Sequence, residues 1–84
     1  MDDRRVALVT AAGRGMGAAI ARRLASDGYR LGLLSNSGGA KKLAAELGGI
    51  GLTGSVTEPD DLDRLVTTTM DKFGQIDAVV NNTG

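Results

Sequence analysis

The sequence predicts an α/β fold in which a parallel sheet is covered by helices on both faces. The first observation is a set of short apolar runs, of which Val6-Ala7-Leu8-Val9 is the clearest, without the polar alternation of a strand that has one wet face. The second is that these runs alternate with segments whose apolar residues recur every three or four positions, as in amphipathic helices. The resulting β-α-β-α-β-α-β order predicts a doubly wound parallel sheet in a three-layer αβα architecture.

A helix is expected directly after the first strand. Met16, Ile20 and Leu24 recur every four residues, so we expect this face of the helix to be buried. Gly28 follows as a left-handed cap that ends the helix. The next apolar run, residues 31–34, predicts the second strand.

A shorter helix and a third strand follow. Leu43 and Leu47 are four residues apart on one helical face, and Gly48-Gly49 ends the helix. Residues 50–53 predict a third strand, although a glycine interrupts its apolar run.

The third helix has the clearest sequence pattern. Thr57 and Asp60 fit a Thr-x-x-Asp capping pattern, and Pro59 falls in the first turn. Gly74 ends the helix, and residues 76–80 predict a fourth strand. The residues expected to share the buried face of the helix are Leu62, Leu65, Val66, Thr69, Met70 and Phe73.

Length, charge and composition limit the functional classes. The 84 residues suffice for one domain, and 10 basic residues balance 10 acidic ones, which disfavours nucleic acid and membrane surfaces as partners. The chain has no cysteine and no histidine, so disulfides, Cys/His metal sites and imidazole bases are excluded. No stretch approaches the roughly 18 apolar residues of a membrane helix, so a cytoplasmic location is the default expectation.

A glycine cluster between the first strand and the first helix carries the main functional signal. Thr10-Ala11-Ala12-Gly13-Arg14-Gly15-Met16-Gly17-Ala18 has the composition of a loop that lets its backbone approach a pyrophosphate, beside the N–H groups of a helix N-terminus. Two registers remain open. Gly13-x-Gly15-x-x-Ala18 fits the general dinucleotide fingerprint, whereas Thr10-x-x-x-x-Gly15-x-Gly17 fits a different glycine loop. In a doubly wound sheet the ligand lies where the strand order reverses, here between the first and fourth strands.

The second motif is at the other end of the chain. Phe73-Gly74-Gln75-Ile76-Asp77 and Val79-Val80-Asn81-Asn82-Thr83-Gly84 resemble the Phe-Gly-x-Ile-Asp and Asn-Asn-Ala-Gly stretches of the short-chain dehydrogenase/reductase family. The second register of the glycine loop resembles the same family, most of all its bacterial 3-oxoacyl-acyl-carrier-protein reductase type. The resemblance implies a Rossmann-type fold, of which residues 1–84 are the N-terminal part of a single NAD(P)-binding domain.

The resemblance also implies a cofactor site, and no metal site is predicted. Gly13, Arg14, Gly15, Met16 and Gly17 are expected to cradle the cofactor phosphates. The adenine is expected beside Ser55 and Val56, and the ribose and nicotinamide beside Asn81, Thr83 and Gly84. At least one of the asparagines 81 and 82 is also expected to bond a neighbouring strand. The chain departs from the family pattern at three positions: Ala11 replaces a loop glycine, Ser55 an aspartate, and Thr83 an alanine.

The end of the second strand predicts NADP(H) rather than NAD(H). Enzymes that select NAD commonly carry a carboxylate about 20 residues after the glycine loop, which repels a 2′-phosphate. This chain has Ser35, Asn36 and Ser37 there, which are short polar side chains able to bond a phosphate. Arg14 lies where similar NADP-using enzymes place a basic residue, and its guanidinium pairs well with phosphate oxygens.

The implied reaction is hydride transfer between the nicotinamide and a small-molecule carbonyl or secondary alcohol. The family's catalytic serine and Tyr-x-x-x-Lys pair have no counterpart here, since Tyr29 is followed four residues later by Leu33. No catalytic residue is therefore assigned, and this chain is expected to supply the cofactor half of a homo-oligomeric enzyme. The alternatives are a non-catalytic dinucleotide-binding or regulatory module and a methyltransferase-like domain. The methyltransferase alternative predicts an acidic residue at position 35.

Overall fold

The structure is a computed structural model that describes residues 4–12 and 15–81. Its strands and helices alternate along the chain, in the predicted order: β1(Val6–Thr10), α1(Gly15–Ser26), β2(Arg30–Ser35), α2(Gly39–Leu47), β3(Ile50–Thr53), α3(Pro59–Phe73) and β4(Ala78–Val80). The sheet is parallel with the order β3-β2-β1-β4. The predicted doubly wound α/β fold is confirmed, and the strand order reverses at β1 and β4 as expected.

Two apolar layers lie on the two faces of the sheet. On one face, Val9 and Leu33 belong to a cluster that α1 and α2 complete with Ala21 and Leu43. On the other face, a smaller cluster under α3 has three buried members, Leu8, Leu34 and Leu65. Because neighbouring strand residues point to opposite faces and both faces are covered, every residue of β1 is buried. This accounts for its unbroken apolar run.

The buried face of α1 differs from the prediction. Gly17 and Ala21 are its buried residues, Ile20 and Leu24 are partly buried, and Met16 is 71% exposed. The small residues let the helix approach the sheet closely, which turns the larger side chains toward the edge of the contact. The expectation that Met16 is buried was wrong.

The start of α3 also differs from the prediction. Its N-cap is Glu58 rather than Thr57, and no side chain caps it, although Pro59 does occupy the first turn. The Thr57 hydroxyl lies instead 2.7 Å from Ser55 Oγ, inside the preceding loop. The capping pair of Thr57 and Asp60 was therefore wrong, because the loop uses the hydroxyl that the cap required.

The predicted inner face of α3 is covered only in part. Leu65 and Thr69 are buried, whereas Val66 and Met70 are 42% and 43% exposed. Val79 in β4, which is an edge strand of the sheet, is 64% exposed. The described residues thus leave an apolar surface on the α3 side of the sheet.

A close approach explains the glycine inside β3. A Cβ on Gly51 would lie 2.5 Å from the carbonyl oxygen of Ala40 and 2.6 Å from the Cα of Lys41. Both atoms belong to the backbone at the start of α2, so no side chain can move aside. Glycine is needed here because it lets α2 pack directly on the strand.

Candidate functional site

A cleft opens at the carboxyl ends of the first three strands. It has a volume of about 110 Å³ and is lined by Ala11, Leu34, Ser35, Asn36, Gly54, Ser55 and Val56. The structure thereby brings together four of the predicted site residues, Ser35 and Asn36 at the end of β2 and Ser55 and Val56 after β3. The cleft is lined by apolar and polar residues, which suits a flat ring that carries a few polar atoms.

The N-terminus of α1 lies at the same edge of the sheet. The helix begins at Gly15, and its first turn contains no acidic side chain. Its first N–H groups have no partner within the helix and carry about half a positive charge, so this end attracts an anion. Of the residues predicted to cradle the phosphates, Gly15, Met16 and Gly17 form the first turn of α1 at this edge, whereas Gly13 and Arg14 fall outside the described residues.

The backbone takes a left-handed conformation directly after β1 and again at the start of this helix. Ala11 has a φ of 53° and Gly15 a φ of 63°. The left-handed region suits glycine but costs a residue with a Cβ roughly 1–2 kcal/mol. Ala11 thus takes the glycine-like conformation despite its methyl group, and the next residue, Ala12, donates its N–H to Leu34 O at 3.1 Å.

The Ser35 hydroxyl is occupied within the chain. It donates to Ser37 O at 2.8 Å and accepts from the N–H of Ala40 at 2.9 Å, and the residue is only 5% exposed. Because Gly38, the N-cap of α2, has no side chain, the Ser35 hydroxyl supplies the acceptor for the first turn. Ser35 lines the cleft but its proton is already used, whereas Asn36 and Ser37 are exposed.

The loop after β3 is held by contacts from two sides. Gly54 donates its N–H to Ser35 O at 2.8 Å, and Ser55 donates its N–H to Asp61 Oδ2 at 2.9 Å. The pKa of the Asp61 carboxyl is held below its usual range, mainly by the hydrogen bond from the Ser55 N–H and secondly by the Arg64 guanidinium. Sequence reasoning missed Asp61, although an acidic residue in the helical turn after a cleft loop was a visible signal.

Asn81 lies at the end of β4, next to the end of β1. Thr10 Oγ1 donates to Asn81 Oδ1 at 3.0 Å, and Thr10 is buried. This confirms that one of the two asparagines bonds a neighbouring strand. Thr83 and Gly84, which were also predicted to border the cofactor, lie outside the described residues together with Asn82.

Within residues 4–12 and 15–81, no helix is long and apolar enough to cross a membrane. The same residues contain no group of three or more acidic, histidine or cysteine side chains that could hold a metal ion.

Comparisons with known proteins give consistent results. The family model described as short chain dehydrogenase matches residues 5–84. The chain is 42% identical to a 3-oxoacyl-[acyl-carrier-protein] reductase of Synechocystis sp. over 94% of the chain and 35% of that protein. It is 39% identical to an L-fucose dehydrogenase of Mus musculus over 95% of the chain and 30% of that protein.

Two solved structures extend the comparison. An actinorhodin polyketide ketoreductase with NADPH matches with a TM-score of 0.89 and 33% identity, over 100% of this chain and 34% of that one. A 3-ketoacyl-(acyl-carrier-protein) reductase from Brucella melitensis complexed with NADH matches with a TM-score of 0.84 and 29% identity, over 89% and 32%. This chain spans about a third of the length of its relatives. It belongs to the short-chain dehydrogenase family.

Proposed function

We propose that this chain supplies the cofactor-binding half of an NAD(P)-dependent oxidoreductase. The observation that carries the proposal is the position of the α1 N-terminus beside the cleft, at the carboxyl ends of parallel strands. A dinucleotide needs a donor-rich seat for its pyrophosphate and an adjacent slot for its base, and both are at this edge. The reductase and ketoreductase relatives, with NADH or NADPH in the two solved structures, support the same assignment.

We infer the following division of labour among the site residues. The backbone of Gly15, Met16 and Gly17, with Gly13 and Arg14, binds the phosphates, and the cleft with Ser55 and Val56 holds the adenine. Asn81, Thr83 and Gly84 border the ribose and the path to the nicotinamide. The nicotinamide supplies the hydride chemistry when it is bound, and these residues bind and orient it.

The proposed preference for NADP(H) rests on residues 35–37 and on Arg14. Residues 35–37 contain no carboxylate, and two of them, Asn36 and Ser37, are exposed. The Ser35 hydroxyl donates to Ser37 O, so the contacts to a 2′-phosphate come from Asn36, Ser37 and Arg14. One solved relative is complexed with NADH and the other with NADPH. Because both share this fold, the preference between the two cofactors is consistent with selection by a few side chains.

The whole protein is proposed to transfer hydride between the nicotinamide and a small-molecule carbonyl or secondary alcohol. Residues 1–84 are proposed to be the N-terminal part of a single domain, and they cover about a third of the length of each relative. A homo-oligomer in the cytoplasm, without nucleic acid or membrane partners, stays a prediction from the sequence.

A charge at the helix N-terminus tests the cofactor assignment. Met16 is 71% exposed in the first turn of α1, so Met16→Glu places a carboxylate beside the proposed pyrophosphate. A carboxylate in the first turn is attracted by the partial positive charge of the helix N-terminus, so the substitution is not expected to destabilise α1. Weaker NADPH binding would therefore not be due to unfolding. We expect calorimetric titration to show NADPH binding weakened about 5- to 30-fold by Met16→Glu and little changed by the neutral control Met16→Gln. Equal affinities of the two variants would contradict the proposed phosphate seat.

A further inference from the structure

The wall of the cleft formed by residues 54–56 is a loop, and a carboxylate outside it holds one of its amides. The Ser55 N–H donates to Asp61 Oδ2 at 2.9 Å, while Asp61 Oδ1 accepts from Arg64 Nη2 at 3.0 Å. The same Arg64 nitrogen donates to Thr53 O at 3.0 Å, at the end of β3. The two side chains therefore tie the first turns of α3 to the strand end and to the loop.

The carboxylate of Asp61 fits closely against the loop. A Cβ on Gly54 would lie 2.7 Å from Asp61 Cγ and 2.8 Å from Oδ2, so only glycine leaves this space. The side chain of Asp61 is 25% exposed, against 54% for Arg64. Gly54 and Ser55 both line the cleft, so Asp61 supports the cleft wall from behind.

This contact differs from ordinary helix capping. The N-cap of α3 is Glu58, and the amide that Asp61 accepts belongs to Ser55, three residues before the N-cap. The bond therefore satisfies no N–H group of the helix and orders the loop instead.

Asp60 occupies the same helical turn with the same charge, and among the described residues it makes no hydrogen bond to this loop. Asp60 thus provides a matched control for the effect of charge alone.

We propose that Asp61 is a positioning residue for the adenine end of the cofactor, acting through the Ser55 amide. The inference rests on the proposed function, because it takes the cleft as the adenine site. Asp61 does not touch the base; it holds residues 54–56 in the conformation that receives it. Binding then avoids the free-energy cost of ordering the loop.

The experiment measures the affinity of the purified protein for ADP, which carries the adenine end without the nicotinamide. We expect Asp61→Ala to weaken ADP binding about 3- to 10-fold, because the loop must be ordered on binding. Asp61→Asn keeps an oxygen acceptor for the Ser55 N–H and is expected to bind ADP within about twofold of the wild type. Asp60→Ala is expected to leave the affinity unchanged.

A second variant keeps the proposal testable if Asp61→Ala unfolds. Gly54→Ala leaves the carboxylate in the chain but pushes it away from the loop, so the same loss of ADP affinity is expected. Hydrogen exchange of the Ser55 amide is expected to accelerate in Asp61→Ala and to stay slow in Asp60→Ala.

The possible results separate the two proposals. If the wild type binds ADP, an equal affinity of Asp61→Ala and Asp60→Ala overturns the positioning role. An equal loss in Asp61→Asn and Asp61→Ala also overturns it, because it would assign the effect to charge rather than to the bond. A wild type that does not bind ADP would refute the proposed function itself, and this inference with it.

Discussion

Replacement of Ser35 by alanine tests whether its hydroxyl has a structural role. The hydroxyl is buried, accepts the N–H of Ala40 in the first turn of α2, and donates to the carbonyl of Ser37. Ser35→Ala removes both bonds and leaves a buried N–H group without its acceptor. A lost helix cap costs about 1 kcal/mol, and a buried group left unsatisfied costs about 1–3 kcal/mol. We therefore expect the free energy of unfolding to fall by about 1–3 kcal/mol.

Ser37→Ala is the matched control for this measurement. Its hydroxyl accepts the N–H of Gly39 at 3.4 Å and is exposed to water, so its removal is expected to cost less than about 0.5 kcal/mol. Urea unfolding followed by far-ultraviolet circular dichroism measures both variants. If Ser35→Ala is no more destabilising than Ser37→Ala, the Ser35 hydroxyl does not stabilise α2. Ser35 would then again be a candidate hydrogen-bond donor to the 2′-phosphate.

Three further predictions concern the loops and the sheet. Arg14→Ala is expected to weaken NADPH binding roughly 10- to 150-fold and to leave NADH binding nearly unchanged, and equal losses in calorimetric titrations would show that Arg14 does not contact the 2′-phosphate. Ala11→Gly is expected to raise the free energy of unfolding by about 0.5–1 kcal/mol, because the φ of 53° is unfavourable for alanine; a lower stability in urea would contradict this. Gly51→Ala is expected to destabilise the fold by about 1–3 kcal/mol or more, since its methyl group would meet the backbone of Ala40; a change below 0.5 kcal/mol would mean that α2 moves freely away from β3.

The sequence by itself determines the order of the strands and helices. Unbroken apolar runs such as 6–9 mark strands that are buried on both faces, and glycines at 28, 48 and 74 end the helices with positive φ values. These signals are local in the chain, so they are readable without a structure. The parallel order then places the ends of β1, β2 and β3 at one edge, which is why Ser35, Asn36, Ser55 and Val56 line one cleft.

Only the tertiary structure decides how individual side chains are used. The periodicity of α1 suggests Met16 as a buried residue, but the distance between helix and sheet favours Gly17 and Ala21. A serine at the end of β2 looks available to a phosphate until α2 is seen to require its hydroxyl. Asp61 is only six residues from Ser55, but its spacing does not show that its carboxylate, rather than that of Asp60, accepts the Ser55 N–H. Helix placement depends on packing between separate segments of the chain, and the conformation of each loop selects the hydrogen-bond partners, so residue spacing alone encodes neither.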